Sequence, residues 1–289
     1  RRARASGPIA IKCEENGQKP PVQINVFLER SCYCPARSHT ERQRKYQEIV
    51  QVDIHRIYGF IAQKFRPARM ELFASVFNIN DETSILDIGG HVDIWKHLLV
   101  KPHIIIGNIY ETDRTEDNFT FREMDGTDLP YEDNHFEIVF SNSVIEHLGN
   151  WENQKRFASE IKRTGKAYFV QTPNKYFPVE PHFLTPIIHL LPQRAYRKLL
   201  PAFSPWYWMQ RPTREELNRV LDEIQLLDES QMRELFPEAT IILERFMGMT
   251  KSIIALKTDR DSDIQAALKK YGSPAVNWSV RQGPHSQTA

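Results

Sequence analysis

The feature that most constrains this chain is a train of short apolar runs set apart by helix-length or loop segments. Ser84–Ile88 ends in Gly89-Gly90, and His103–Ile109, Thr120–Met124 and Phe136–Phe140 follow. Ala167–Gln171 closes the series, after a helical pattern over Trp151–Thr164. Apolar runs too short for helices that alternate with helical segments read as parallel strands joined by crossovers. They predict an α/β, Rossmann-like, doubly wound and mostly parallel sheet. Two later runs, Thr240–Phe246 and Ser252–Lys257, read as an antiparallel pair at its edge.

Ahead of the sheet, Tyr46, Val50, Ile54, Ile57, Tyr58 and Ile61 recur at three- and four-residue spacing. That spacing predicts a helix from Glu41 to Lys64. Pro67 lacks the amide hydrogen that a helix interior needs, so a second helix is expected over Met70–Phe77. Residues 1–40 contain Gly7-Pro8, Pro20-Pro21 and Pro35 and keep no period. They read as a loosely structured arm, with one short strand at Val22–Leu28. The organisation expected is therefore an arm (1–40), a domain (41–258) and a polar tail (259–289), the last partly disordered. Within the domain, 80–174 is the ligand-binding core. Residues 175–235 are an insertion rich in proline and aromatics that caps the site.

Charge is spread unevenly. Residues 1–70 hold 14 Lys/Arg and 6 Asp/Glu, a net of +8, and the remainder is −7. A basic front end suits an anionic partner, such as a phosphate-bearing substrate, nucleic acid or a membrane surface; the alternative is a solvated tail and helix face. No apolar run approaches the ~18–20 residues that span a bilayer. The basic start Arg1-Arg2-Ala3-Arg4 is followed by no apolar stretch, so it does not read as a secretory signal. The lack of an initiator Met points to a trimmed or partial chain. Three cysteines in 289 residues make no disulfide framework, and the expected compartment is the reducing cytoplasm. Cys32-x-Cys34, with Cys13 and His39, raises zinc, but one intervening residue is too few for a structural pair. No metal is expected.

In open α/β sheets a ligand sits outside the carboxyl ends of the strands, where strand order reverses. The residues at those ends are Asp87, Gly89 and Gly90, then Asn108, then Asp125, Gly126 and Thr127, then Ser141 and Asn142. Gly-Gly lets backbone turn sharply and approach a ligand. Polar side chains on successive strand ends can grip the two ends of an elongated ligand. An Asp in such a place is also often only a helix cap.

Ser84-Ile85-Leu86-Asp87-Ile88-Gly89-Gly90 resembles the first motif of the class I S-adenosylmethionine-dependent methyltransferases. The ungapped stretch from Met124 to Leu148 is similar to that family's segment around the third and fourth strands. Its most telling portions are Met124-Asp125-Gly126-Thr127-Asp128-Leu129-Pro130 and Phe136-Glu137-Ile138-Val139-Phe140-Ser141-Asn142-Ser143-Val144-Ile145-Glu146-His147-Leu148. Gly165 and Thr172-Pro173-Asn174 also fit. The likeness covers about 80–257 and points to the type-11 group. It implies that Gly89 and Gly90 pass the methionine end of S-adenosylmethionine and that Asn108 meets the ribose. It places Asp125 against the adenine amino group, with Gly126 and Thr127 alongside, and Ser141 and Asn142 on the sulfonium side. Two features depart from the family pattern. His91 and Asp93 stand where further glycines are usual, and Asn108 replaces a carboxylate, losing a charge-assisted bond.

A sulfonium is already a potent methyl donor, so positioning and exclusion of water supply much of the catalysis. A hydroxyl or amine acceptor still needs a base. His182 is the first choice, then Glu180 and His147; the alternative is that Glu146 and His147 only shape a loop and Glu180-Pro181-His182 a rigid lid turn. His189-Leu190-Leu191-Pro192, Leu199-Leu200 and Trp206-Tyr207-Trp208 either line an apolar pocket, rest on a membrane carrying a lipid-linked acceptor, or bury against the sheet. The expected acceptor is a small molecule: a sugar, a glycolipid or a natural-product intermediate. Nucleic-acid methylation through the basic arm is one alternative, although the fourth strand lacks a [DNS]-P-P-[YFW] signature. An inactive binding protein of the same fold is another. A nicotinamide oxidoreductase would need G-x-G-x-x-G where the chain reads Gly89-Gly90-His91-Val92-Asp93-Ile94.

Overall fold

β1 (Ser84–Ile88) is buried at every position after Ser84, because it lies at the middle of the sheet with both faces covered. The computed structural model describes residues 54–109, 111, 113–259, 261–271 and 277–281. The expected arm, its basic charge, Cys13, Cys32, Cys34 and His39 lie outside the described residues, as does the helix expected from Glu41 up to residue 53.

β1 pairs in parallel with β2 (His103–Asn108) on one side and β5 (Phe136–Asn142) on the other. β2 continues in parallel to β4 (Phe119–Glu123), and β5 to β6 (Gly165–Pro173). β3 (Arg114–Glu116) closes one edge antiparallel to β4. Beyond β6, β10 (Met249–Lys257) runs antiparallel, and β9 (Thr240–Phe246) is antiparallel to β10. With β11 (Asn277–Arg281) antiparallel to β9 at the far edge, the order is β11-β9-β10-β6-β5-β1-β2-β4-β3. The chain leaves β1 in both directions, so strand order reverses there, and open α/β sheets bind their ligands at the carboxyl ends of the strands at such a point.

Apolar side chains of alternating strand residues bury on opposite faces. Ile85, Phe140, Phe169 and Ile254 join one cluster with Phe65, Phe73 and Trp95. Leu86, Val139, Tyr168 and Ile253 join a second with Phe157, Ile161 and Phe236. The first face is covered by α1 (Ile54–Phe77) and α2 (Val92–Trp95). The second is covered by α3 (Trp151–Thr164), which opens on an Asn150 side-chain cap. Phe140 and Phe169 stack with centroids 5.4 Å apart, and Phe73 meets both rings edge-on.

The insertion begins with a two-stranded hairpin, β7 (Val179–Glu180) and β8 (Thr185–Pro186). Helices α4 (Gln193–Phe203), α5 (Pro205–Gln210) and α6 (Arg214–Glu223) follow, then α7 (Glu229–Leu235). Phe183, Tyr196, Leu200, Leu217, Val220, Leu221 and Ile224 form a third, smaller core. Trp206 and Tyr207 pack against it, while Trp208 is exposed.

Two expectations are corrected. α1 is one helix running through Pro67, not two. Burial of Phe65 on one side of the proline and of Met70, Leu72, Phe73 and Val76 on the other holds the helix together across the missing bond. The tail is not merely a polar extension. It forms α8 (Asp261–Tyr271), which buries Ile264 and Ala267 in the α1 core, and β11 (Asn277–Arg281), which adds antiparallel to β9.

Candidate active site

The turn after β1 is set by its neighbours. Gly89 has φ of +72°, and a Cβ there would stand 2.5 Å from Val144 Cγ2. Its amide donates to Gly107 O at 2.7 Å. Asp87 folds back beneath Gly90 and is fully buried. Its Oδ2 accepts from Trp95 Nε1 at 2.7 Å. Burial raises the Asp87 pKa to about 7, against a smaller lowering by that bond. Asn108 Nδ2 donates to Gly90 O at 3.1 Å, tying the second strand end to the turn.

At the end of β4 the Asp125 side chain is exposed, and its Oδ1 accepts from both N and Oγ1 of Thr127 at 2.8 Å. Gly126 lies against the core, where a Cβ would come within 2.6 Å of Phe157. Ser141 is buried rather than lining an open wall. Asn142 is already engaged: Arg69 Nη1 donates to its Oδ1 at 2.6 Å. Asp87 Oδ1, Ser141 Oγ and Glu146 Oε1 are buried with no hydrogen-bond partner among the described residues. Asp87 and Ser141 lie near the carboxyl ends of β1 and β5, and Glu146 lies on the turn that follows β5. A polar group entering the crevice meets acceptors there, which fits an elongated cofactor with an amino acid end. A concavity of about 320 Å³ lined by Asn174, Tyr176, Asp228 and Thr250 lies instead beside β6 and β10. The switch point, not that concavity, carries the polar residues of four strand ends.

Arg69 belongs to a buried network that sequence reading missed. Its guanidinium donates to both oxygens of Glu244 at 2.8–3.2 Å and to Gln171 Oε1 at 3.1 Å. Lys251 Nζ reaches Glu244 at 3.2 Å. Burial alone would raise the Glu244 pKa, but Arg69 and Lys251 bring it below its usual value. The signal was present in the sequence. Phe65, Arg69 and Phe73 are spaced by four, so a charged residue stands on the helix stripe that faces the core.

The three residues chosen as bases converge. His147 ends a 3-10 turn after β5, and Glu180 and His182 sit on the β7–β8 hairpin. Glu180 Oε1 is 2.5 Å from His182 Nδ1, and its Oε2 accepts from Phe183 N at 2.6 Å. His182 Nε2 is 3.2 Å from His147 Nε2. Burial of His182 would lower its pKa, but Glu180, with Glu146 and Glu223 beyond it, turns the shift upward. Burial and then the charge of His182 bring the His147 pKa down to about 3, so that ring stays neutral. Glu146 is fully buried and its Oε2 accepts from Thr172 Oγ1 at 2.9 Å. Burial pushes its pKa up to about 7, opposed first by His182.

Residues 93–167, from α2 into β6, match the family described as Methyltransferase domain. Over that quarter of its length the chain is similar to methyltransferase domains. Over 51 residues the chain is 39% identical to the uncharacterized protein Rv1509 of Mycobacterium tuberculosis (strain ATCC 25618 / H37Rv), which is 18% of this chain and 17% of that one. The matched stretch is thus under a fifth of that relative's length. The chain is also similar to a SAM-dependent methyltransferase from Methanosarcina mazei, at 12% identity and a TM-score of 0.39, covering 62% of this chain and 92% of the other. A third similarity is to phosphoethanolamine N-methyltransferase 2 of Haemonchus contortus, at 13% identity and a TM-score of 0.40, covering 62% and 38%. Among the described residues no helix is long and apolar enough to cross a membrane.

Proposed function

We propose that the protein methylates a small-molecule acceptor from S-adenosylmethionine, with the Glu180–His182–His147 array receiving the acceptor's proton. The observation that carries this reading is the array itself, a carboxylate and two imidazoles in a hydrogen-bonded line between the β5 end and the insertion. Bound at the β1–β5 crevice, the cofactor supplies a methyl group on a sulfonium. Gly89 and Gly90 hold its amino acid end, Asn108 its ribose and Asp125 its adenine. Glu180 fixes His182 with Nδ1–H toward the carboxylate, so Nε2 accepts from His147 Nε2–H at rest and takes the acceptor's proton once the acceptor's hydroxyl or amine displaces His147 from it. His147 stays neutral beside it and aligns the ring. The insertion 175–235 caps the acceptor and excludes water. The side chain of His182 is only 7% exposed, so a small molecule reaches it more readily than a bulky polymer.

Titration with S-adenosylmethionine by calorimetry, with NADH in parallel, is the first test. Micromolar binding of the former alone is expected, weakened by about 1–3 kcal/mol in Asp125→Ala. Unchanged affinity in that variant would remove Asp125 from the adenine site. With an acceptor in hand, kcat rises with pH through a pKa above 6.5, because the base must lose its proton and Glu180 holds that proton on. Glu180→Gln moves the rise to lower pH. A profile that does not shift would overturn His182 as the base.

A further inference from the structure

Glu146 has no part in the proton path just described, yet it is the most buried acid beside it. Its Oε1 has no partner among the described residues. We infer that Glu146, His147 and His182 together bind a divalent transition-metal ion, Zn²⁺ by ligand type.

The geometry is that of a ligand set. One oxygen from Glu146 and one nitrogen from each histidine lie within 4.8 Å of one another, so the set must draw in by about 1 Å to hold one ion, whose ligand atoms stand about 3.3 Å apart. Two imidazole nitrogens on a tetrahedral zinc ion stand about 3.3 Å apart, given zinc–nitrogen bonds of about 2.0–2.1 Å. The Nε2 atoms of His147 and His182 are 3.2 Å apart. A hydrogen bond between the rings accounts for that distance by itself, but it leaves the Glu146 oxygen buried and unpaired, which is costly. An ion satisfies all three atoms at once. Two imidazoles and one carboxylate with a position left open is a zinc set that leaves room for a reacting oxygen.

The surroundings have the form of a metal site's outer partners. Glu180 accepts from His182 Nδ1, which fixes the tautomer with Nε2 toward the cluster. Thr172 holds the second oxygen of Glu146. The ligands come from two separate places, the loop after β5 and the β7–β8 hairpin, so an ion would pin the insertion to the sheet. The inference rests on the methyl-transfer reading only for what fills the open position, an acceptor hydroxyl or thiol. In the metal-bound form both imidazoles are ligands and the acceptor's proton leaves to bulk water, so His182 acts as the base, with the pH profile given above, in the metal-free form alone.

The test uses the full chain with Cys13, Cys32 and Cys34 replaced by serine, stripped with a chelator and dialysed against ZnCl₂. Elemental analysis is expected to give one zinc per chain. Co²⁺ in its place is expected to give the visible absorption of a four- or five-coordinate site. Glu146→Gln, which keeps the shape, and His147→Asn each lower the affinity by at least about tenfold. Far-ultraviolet circular dichroism and a cooperative thermal transition serve as the check that the same variants are folded. Substoichiometric zinc, or zinc bound equally well by a folded Glu146→Gln, overturns the metal site. Neither result touches the methyl-transfer reading, which fails separately if the cofactor does not bind.

Discussion

Arg69 on α1 and Glu244 on β9, 175 residues apart, form a buried bidentate ion pair. It joins the first helix to the far strands and holds Asn142 and Gln171 from the same guanidinium. Removing one partner of such a pair strands the other charge in the interior, at a cost of about 3–5 kcal/mol. Arg69→Met is therefore expected to destabilise by that order, reduced by whatever Lys251 compensates. Adding Glu244→Gln to Arg69→Met should recover part of the loss. Urea unfolding of the wild type and the two variants measures it, and a loss under about 1 kcal/mol for Arg69→Met would show that the pair is not a structural tie.

At the first turn, a Cβ on Gly90 would fall 1.8 Å from Asp87 Oδ2. Gly90→Ala must push the carboxylate off Trp95 Nε1, combining overpacking with a lost buried hydrogen bond, for about 2–4 kcal/mol. The clash has one cause, so Asp87→Ala should absorb most of the cost of Gly90→Ala. Additive effects in the double variant, read by thermal unfolding, would mean that the two residues are not coupled.

Burial also makes stability depend on pH. The pKa of Asp87 rises from 3.8 to about 7 in the fold. An acid with a raised folded pKa gives stability that is complete below its unfolded pKa and lost as pH climbs to the folded one. The loss between pH 4 and pH 7 is at most about 4 kcal/mol. Glu146 acts in the same direction. His147, held neutral with a pKa near 3, acts in the opposite one and loses its contribution as pH falls below 6.5. Asp87→Asn should gain on the wild type as pH rises from 4 to 7.5. A difference between the two that is constant with pH would mean that Asp87 titrates normally.

The sequence by itself determined the sheet. Alternation of apolar runs with one well-phased helix is a local pattern, and it located β1, β9 and Trp151–Thr164 to the residue. The glycine turn and the polar strand ends were legible for the same reason, since strand ends gather at one edge of a parallel sheet. So were Glu180, His182 and His147 as individual residues. Only the tertiary structure decided that these three meet, because the two histidines stand 35 positions apart and the segment between them is closed by a hairpin whose position depends on the insertion's own core. It also decided that α1 passes through Pro67 and that the tail supplies α8 and β11. A short, largely polar helix has little preference of its own and forms when a partner buries its few apolar side chains, here Ile264 and Ala267 against α1. The engagement of Asn142 by Arg69 was likewise invisible in sequence. Hydrogen-bond partners 73 residues apart are chosen by packing, not by local pattern.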